Sequence, residues 1–235
     1  ENSEIFDIFK YDKLVLLCLI ENKIMVLDKP IFEIISKESF YKSNNYLDYF
    51  LPEIKRLNCA RNLPGNLIYK NLSDEFYEKR ENGENDDLIC QFIQKDSIVE
   101  FISYVEKNNI SLNQRIQSSI YETNYFLNTE HYDLIEYACF YGSIQVFNYL
   151  KINGVKLTPK LWYFAIRGQN PEIIHILEEN HVQLIKSYLD LLEKTIECFS
   201  NDIAHYILNT NLAAFNADKI SIKPAILSHN YEFIN

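Results

Sequence analysis

The sequence of 235 residues is poor in glycine, with only 5 where average composition would give roughly 16. None of these glycines has the G-x-G-x-x-G or P-loop spacing that cradles phosphate groups. Proline is also scarce, with 6 residues. The sequence therefore lacks the loops on which many nucleotide-binding enzymes depend.

Cysteine and long apolar runs are also limited. The 5 cysteines are widely spaced, and no C-x-x-C pair occurs, so we expect neither a disulfide framework nor a zinc site. This usage is typical of a reducing compartment, so we expect a cytoplasmic location and leave a nuclear one open. The longest apolar run, residues 14–20, is far shorter than the 18 or so residues of a transmembrane helix. We therefore expect no membrane insertion.

Positive charge is the third deficit. The chain has 23 basic and 33 acidic side chains, which give a formal net charge of −10. Proteins that bind the phosphate backbone usually carry a basic surface. The charge argues against a nucleic-acid partner and favours a basic one, which the net charge would attract.

The apolar residues that are present follow a helical period. In residues 144–151 and again in residues 172–179, the apolar positions fall on one side of a helix. Each of these helices is short and would be marginal alone. Asparagine or glycine, the residues that best adopt the left-handed conformation after a helix, recurs at the expected ends: Asn108-Asn109, Asn153-Gly154 and Asn180-His181.

The helical segments repeat along the chain. A small or apolar residue recurs at positions separated by 45, 27, 30 and 30 residues: Ile93, Ala138, Ala165, Thr195 and Ala225. An apolar pair follows each of them about eight residues later. The spacing predicts a series of helix pairs, with an insertion at about residues 111–132.

One of these units, residues 133–155, resembles the ankyrin repeat. It has two small residues, Ala138 and Cys139, and a pair of glycines, Gly142 and Gly154, at the consensus spacing. It also departs from the consensus, because Asp133-Leu134 replaces Thr-Pro and Glu136 replaces His. The usual hydrogen bonds at the base of the ankyrin finger are therefore not expected here.

A longer stretch, residues 135–178, resembles the uncharacterised domain family that accompanies ankyrin repeats in trichomonad-type protists. That resemblance implies ankyrin-like helix pairs and no known activity.

We therefore expect an all-α protein, a solenoid of stacked short antiparallel helix pairs that are degenerate ankyrin-like repeats. Residues 1–72 form an N-terminal helical block, in which Asp28 begins one helix and Pro52 bends or splits another. Residues 73–87 form an acidic, linker-like segment. Residues 88–235 form the repeat array, which we expect to be cut inside its last repeat.

No residue pattern predicts catalysis. The histidines are His131, His175, His181, His205 and His229, and they form no metal-binding motif. His175 and His205 occupy equivalent repeat positions, which favours a structural role. No nucleophile with a base can be identified, so we expect neither enzyme activity nor a cofactor nor a bound metal.

Aromatic residues are abundant, with 17 Tyr, 15 Phe and 1 Trp. Most should pack in the core. In an ankyrin array the first helix of each pair lines the concave surface, and Tyr and Arg are common in binding hot spots. The resulting candidate partner-binding residues are Tyr137, Phe140, Tyr141, Phe164 and Arg167. The alternative is that these side chains simply pack between repeats.

The predicted function is a non-catalytic protein–protein interaction scaffold. Its partner would be a protein or peptide, of basic charge, held on the concave face of the first helices. The alternative is a structural spacer within a longer ankyrin-repeat chain. The oligomeric state is not indicated by the sequence.

Overall fold

The computed structural model describes residues 2–36, 45–57, 72–128, 132–210 and 223–234. These parts of the chain are all-α, as expected, and the only β feature among them is an isolated bridge between Arg115 and Asp133. The helices are α1 Asn2–Phe9, α2 Lys13–Glu21, α3 Lys29–Ile35, α4 Tyr46–Tyr49, α5 Leu51–Arg56, α6 Asp74–Asn82, α7 Leu88–Gln94, α8 Ile98–Lys107, α9 Tyr125–Asn128, α10 Leu134–Phe140, α11 Ile144–Ile152, α12 Leu161–Gly168, α13 Pro171–Glu179, α14 Tyr188–Glu197, α15 Asn201–Thr210 and α16 Lys223–Ser228, followed by a 3₁₀ turn, Tyr231–Phe233.

The contacts divide the chain into two units. Unit 1 comprises residues 1–88 and 116–132, and unit 2 comprises residues 89–115 and 133–235. Most of the expected insertion at 111–132 thus belongs with the N-terminal block, although it interrupts the array in sequence.

Unit 1 has an apolar core that includes Phe6, Ile31 and Tyr49. Helix α3 begins where the sequence predicts, because the Asp28 carboxylate accepts the Ile31 N–H at 3.1 Å. The helix around Pro52 is split, also as predicted, with α4 ending at Tyr49 and α5 starting at Leu51. Proline at the start of α5 lacks only an N–H that would have no partner within the helix.

The segment 73–87 is not the loose linker that its charge suggests. It contains α6, in which the Ser73 hydroxyl caps the Phe76 N–H. Arg80 of this helix is buried and forms an ion pair of 2.8 Å with Glu53, which is also buried. Arg80, together with the buried Phe76 and Asn85, makes this acidic segment part of the core, which composition alone does not reveal.

Unit 2 is a succession of helix pairs: α7 with α8, α10 with α11, α12 with α13, α14 with α15, and α16 with the 3₁₀ turn. We call them pairs 1 to 5, each with a first and a second helix. First helices pack on first helices from α10 through α12 and α14 to α16. Second helices pack on second helices from α8 through α11 to α13. Each pair therefore buries its apolar side chains against its neighbours.

The turn inside each pair has a recurring geometry. One residue with positive φ separates the two helices, at positions spaced by 46, 27, 30 and 30: Asp96, Gly142, Gln169, Phe199 and His229. The N–H that follows the turn bonds back five residues, from Ser143 to Ala138 and from Ser97 to Phe92. In pair 1 the equivalent of Ala138 is therefore Phe92, one residue before the predicted Ile93.

The residue directly before each second helix, here called the cap residue, is always serine or asparagine: Ser97, Ser143, Asn170, Ser200 and Asn230. Three of these side chains donate a hydrogen bond to a backbone carbonyl of the preceding pair. Ser143 donates to Ile93, Ser200 to Ile166 at 2.7 Å, and Asn230 to Ile196 at 3.0 Å.

These three acceptors occupy one register position, four residues before the cap residue of their own pair. The bond therefore recurs at successive interfaces. We call it the cap bond.

The interface between pairs 2 and 3 is a variant of this arrangement. The Asn170 side chain donates to the Gly142 carbonyl at 2.8 Å instead. The two backbones approach so closely that a Cβ on Gly168 would lie 2.1 Å from the Cys139 oxygen. Glycine at this position makes the shortened 27-residue interval possible.

We predict that Ser200→Ala lowers the free energy of unfolding by about 1–2 kcal/mol, because the buried Ile166 carbonyl loses the bond that it accepts from the Ser200 hydroxyl. Ser103→Ala is the control, since Ser103 is exposed on α8 and alanine is the better helix former. Urea unfolding monitored by circular dichroism measures both. Equal stability of the two variants would show that the cap bond contributes nothing.

Candidate interaction surface

The first helices of unit 2 present one row of outward-facing residues. The residue three positions before each cap residue is partly or fully exposed throughout. We call this row the stripe: Gln94, Phe140, Arg167, Glu197 and Leu227. Since the first helices of pairs 2 to 5 pack on one another, equivalent positions follow each other along the array.

The neighbouring register position behaves in the opposite way. Its residues are all apolar or cysteine, and in pairs 1 to 4 all are buried: Ile93, Cys139, Ile166 and Ile196. The stripe instead holds an amide, an aromatic ring, a guanidinium, a carboxylate and an alkyl group. One row thus supplies a uniform core, and the adjacent row supplies a varied surface.

Two of the predicted partner-binding residues are in the core. Tyr137 is 1% exposed and Phe164 is fully buried, at 0%. The Tyr137 hydroxyl accepts a hydrogen bond from the Gln94 amide at 2.9 Å, which joins pair 2 to pair 1. These residues lie at one register position, six before the cap residue, and they point into the stack of first helices. The prediction that Tyr137 and Phe164 lie on the surface is therefore wrong.

The other three predicted residues, Phe140, Tyr141 and Arg167, are partly exposed. The Phe140 and Tyr141 rings meet edge to face, with centroids 5.1 Å apart. Tyr141 also packs on the buried Tyr137 at 4.8 Å. Phe140 and Arg167 are neighbours in the stripe. The structure thus leaves these three of the five predicted residues partly accessible.

A polar cluster lies beside the stripe on pairs 3 and 4. The Tyr163 hydroxyl donates to the Asp190 carboxylate at 2.7 Å, and Lys186 adds a bond of 3.2 Å. Partial desolvation and the Asp190 carboxylate raise the pKa of Tyr163 to about 12. Burial alone would raise the pKa of Asp190, but the bonds from Tyr163 and Lys186 hold it below its usual value. Both groups therefore keep their ordinary charge state near neutral pH, and neither is poised for acid–base catalysis.

Glu136 takes a structural role where the ankyrin consensus has histidine. Its carboxylate accepts the Asp133 N–H at 3.1 Å, which closes the first turn of α10. Lys160 lies 3.6 Å from the other carboxylate oxygen. Burial raises the pKa of Glu136, and the contacts with Asp133 and Lys160 oppose that shift.

The two equivalent histidines connect successive pairs. The His175 ring meets Tyr206 edge to face at 5.2 Å, and the His205 ring stacks on Phe233 at 5.0 Å. His205 also lies 2.6 Å from the Glu232 carboxylate. These contacts fit the structural role inferred from their repetition. His131 lies outside the described residues.

Unit 1 contains a buried lysine that sequence reasoning missed. Lys13 is 1% exposed and donates to the Glu122 carbonyl at 2.9 Å and the Ile120 carbonyl at 3.3 Å. Its ammonium nitrogen lies 5.5 Å from the Tyr46 ring centroid and 5.4 Å from that of Tyr49. Lys13 thus attaches the segment 116–132 to α2. The only sequence signal was a lysine at the start of a strongly apolar helix.

Burial determines the protonation of this group. It lowers the pKa of Lys13 to about 7, although the nearby Glu122 carboxylate opposes the shift. Burial also raises the pKa of Glu122 to about 7, against the Asn124 N–H that its carboxylate accepts at 2.8 Å. Perturbed pKa values often mark functional sites. Here the ammonium is held by two carbonyls and two rings, which is the environment of a structural clamp.

Among the described residues, no group of three or more His, Cys, Asp or Glu side chains is placed to hold a metal ion. Within the same residues, no helix has the length and apolar character needed to cross a bilayer.

Comparison of the chain with protein-family models, with curated proteins and with solved structures gives no match.

We predict that Phe164→Ala lowers the free energy of unfolding by about 3–5 kcal/mol, because it empties a fully buried site. Phe140→Ala should cost about 1 kcal/mol, since this ring is partly exposed. Chemical unfolding compares the two phenylalanines directly. Similar losses would contradict their assignment to core and surface.

We predict that the free energy of unfolding rises with pH from about 7 to 9, because in this range the unfolded chain binds a proton at Lys13 that the folded chain lacks. Above about pH 9 the Cys139 and Cys198 thiols, whose pKa burial raises, oppose the rise, because they keep protons that the unfolded chain releases. Glu122 acts oppositely below pH 7, where the folded chain holds the extra proton, so stability falls from about pH 4.5 to 7. Lys13→Met should abolish the rise above pH 7. Urea midpoints measured across this range test it, and a rise that persists in the variant would refute the assignment.

Proposed function

We propose that the protein is a non-catalytic interaction scaffold that binds a protein or peptide segment along the stripe of first-helix residues in unit 2. In this proposal unit 2 is a solenoid of degenerate ankyrin-like repeats. Stacked repeats of this kind offer extended surfaces on which each unit contributes its own side chains.

The observation that carries the proposal is the contrast between two adjacent rows. Residues four positions before the cap are apolar or cysteine in every pair, whereas the stripe varies from pair to pair. A row that only packed would need similar volume and polarity at each position. A row that binds a specific partner needs a different side-chain chemistry in each pair, and the residues of the stripe differ in this way.

The composition of the stripe indicates how such binding would work. Phe140 and Arg167 supply an aromatic ring and a guanidinium, two groups that are enriched in binding hot spots. Glu197 and the net charge of −10 favour a basic segment. The partner best suited to this surface is an extended or helical peptide with basic and apolar residues.

We expect peptides selected by the wild-type protein from a displayed random library to lose affinity for the double variant Phe140→Ala, Arg167→Ala. The loss should be about tenfold or more, as for a hot-spot pair. The matched control is Val99→Ala, Ile152→Ala, which truncates two exposed apolar side chains on second helices. This control should bind as the wild type does.

Salt provides an independent check on the same peptides. Attraction between an acidic protein and a basic peptide weakens as ionic strength rises. Binding that tightens with salt would contradict the basic partner. Equal losses in the stripe variant and its control would contradict the site.

A further inference from the structure

The last helix pair of unit 2 has an exposed residue at a position that is otherwise buried. Four residues before the cap, Ile93 and Ile166 are fully buried and Ile196 is 3% exposed. In pair 5 the equivalent residue, Ile226, is 49% exposed. The residue is isoleucine in all four cases, and only in pair 5 does no following helix pair in the described part of the chain cover it.

The backbone at this position differs in the same way. The carbonyls of Ile166 and Ile196 accept a cap bond from Ser200 and Asn230 of the following pair. The Ile226 carbonyl accepts the turn bond from the His229 N–H at 3.2 Å. Within the described residues it receives no side-chain donor.

A second position, the residue after the cap residue, is also in contact with the next pair in pair 4 but exposed in pair 5. Asn201 follows the cap residue of pair 4 and accepts a bond of 2.8 Å from Asn230 of pair 5. Its equivalent in pair 5 is Tyr231, which is 69% exposed. We call the surface formed by Ile226 and Tyr231 the end face.

We propose that the end face accepts one further helix pair of the same class, stacked on pair 5 as pair 5 stacks on pair 4, with a serine or asparagine cap residue that donates to the Ile226 carbonyl. Every interface described in unit 2 joins consecutive pairs of one chain, and three of them use the cap bond. The end face repeats the acceptor and the apolar position of those interfaces. This inference does not depend on the stripe or on any partner bound there.

The spacing specifies where such a pair would attach. Cap residues 170, 200 and 230 are 30 residues apart, so residue 236 would correspond to residue 176. Appending a copy of residues 176–210 after Asn235 places the copied Ser200 30 residues beyond Asn230. The copy supplies the end of a second helix, a connection, and then a complete helix pair.

We expect the extended chain to melt at a temperature at least about 2 °C higher than the original. We also expect the amide hydrogens of residues 223–234 to exchange at no more than about a tenth of their rate in the original chain, because local opening must now break an interface. Circular dichroism and hydrogen–deuterium exchange measure the two effects.

Two variants separate docking from the mere presence of extra residues. Ile226→Glu should leave the melting temperature of the original chain nearly unchanged, because the side chain is half exposed, but it should abolish the gain in the extended chain. Ser200→Ala confined to the appended copy should reduce the protection of residues 223–234 without abolishing it.

Three results would overturn the proposal. One is an extended chain with added helical signal but unchanged melting temperature and exchange. Another is an Ile226→Glu substitution that destabilises both chains equally. The third is self-association of the original chain that Ile226→Glu abolishes in sedimentation velocity, which would assign the end face to a second copy. None of these results bears on peptide binding at the stripe.

Discussion

Three of the four interfaces between the helix pairs of unit 2 share one directional contact, the bond from a cap side chain to a carbonyl of the preceding helix pair. Each short helix would be marginal alone, and burial by itself does not fix how two helices slide along each other. A directional bond to a buried carbonyl fixes that register. It also satisfies the second lone pair of a carbonyl that already accepts the turn N–H, as with Ile196. At these interfaces the cap bond therefore fixes both which helix pairs stack and how they are aligned along each other.

The cap residue lies at the start of a second helix, but its side chain contacts the preceding pair. Serine and asparagine are favoured at helix starts because they compete for nearby backbone groups. In unit 2 the cap side chains of Ser143, Ser200 and Asn230 act on the neighbouring pair instead. A sequence signal for where a helix begins is thus also a signal for how pairs join at three of the four interfaces. The interface with the 27-residue interval uses the bond from Asn170 to the Gly142 carbonyl instead.

Much of this fold follows from the sequence. The helical period, the split at Pro52 and the left-handed residues at Asn109 and Gly154 are local properties, and the structure contains all of them. The turns between the helices of successive pairs are spaced by 46, 27, 30 and 30 residues, which differs from the predicted intervals only at pair 1. Local patterns are reliable here because each pair is built from contacts close in sequence.

What the sequence did not reveal depends on distant contacts. Tyr137 and Phe140 have similar character, but only the stacking of first helices decides that one is buried and the other partly exposed. Arg80 and Glu53 belong to segments 27 residues apart. Lys13 meets carbonyls more than 100 residues away, with 107 and 109 positions between the partners. Neither the hydrophobic period nor the composition predicts contacts between residues so far apart in sequence.

The central claim is that the helix pairs of unit 2 are held by nearest-neighbour contacts. Urea unfolding of the full chain and of two chains shortened from the carboxyl end, which stop at Thr210 and at His181, tests it most directly. If the account is right, each truncation lowers the unfolding midpoint by a step, and the remaining pairs keep their helical signal. Complete loss of helical signal from unit 2 at the first truncation would contradict it.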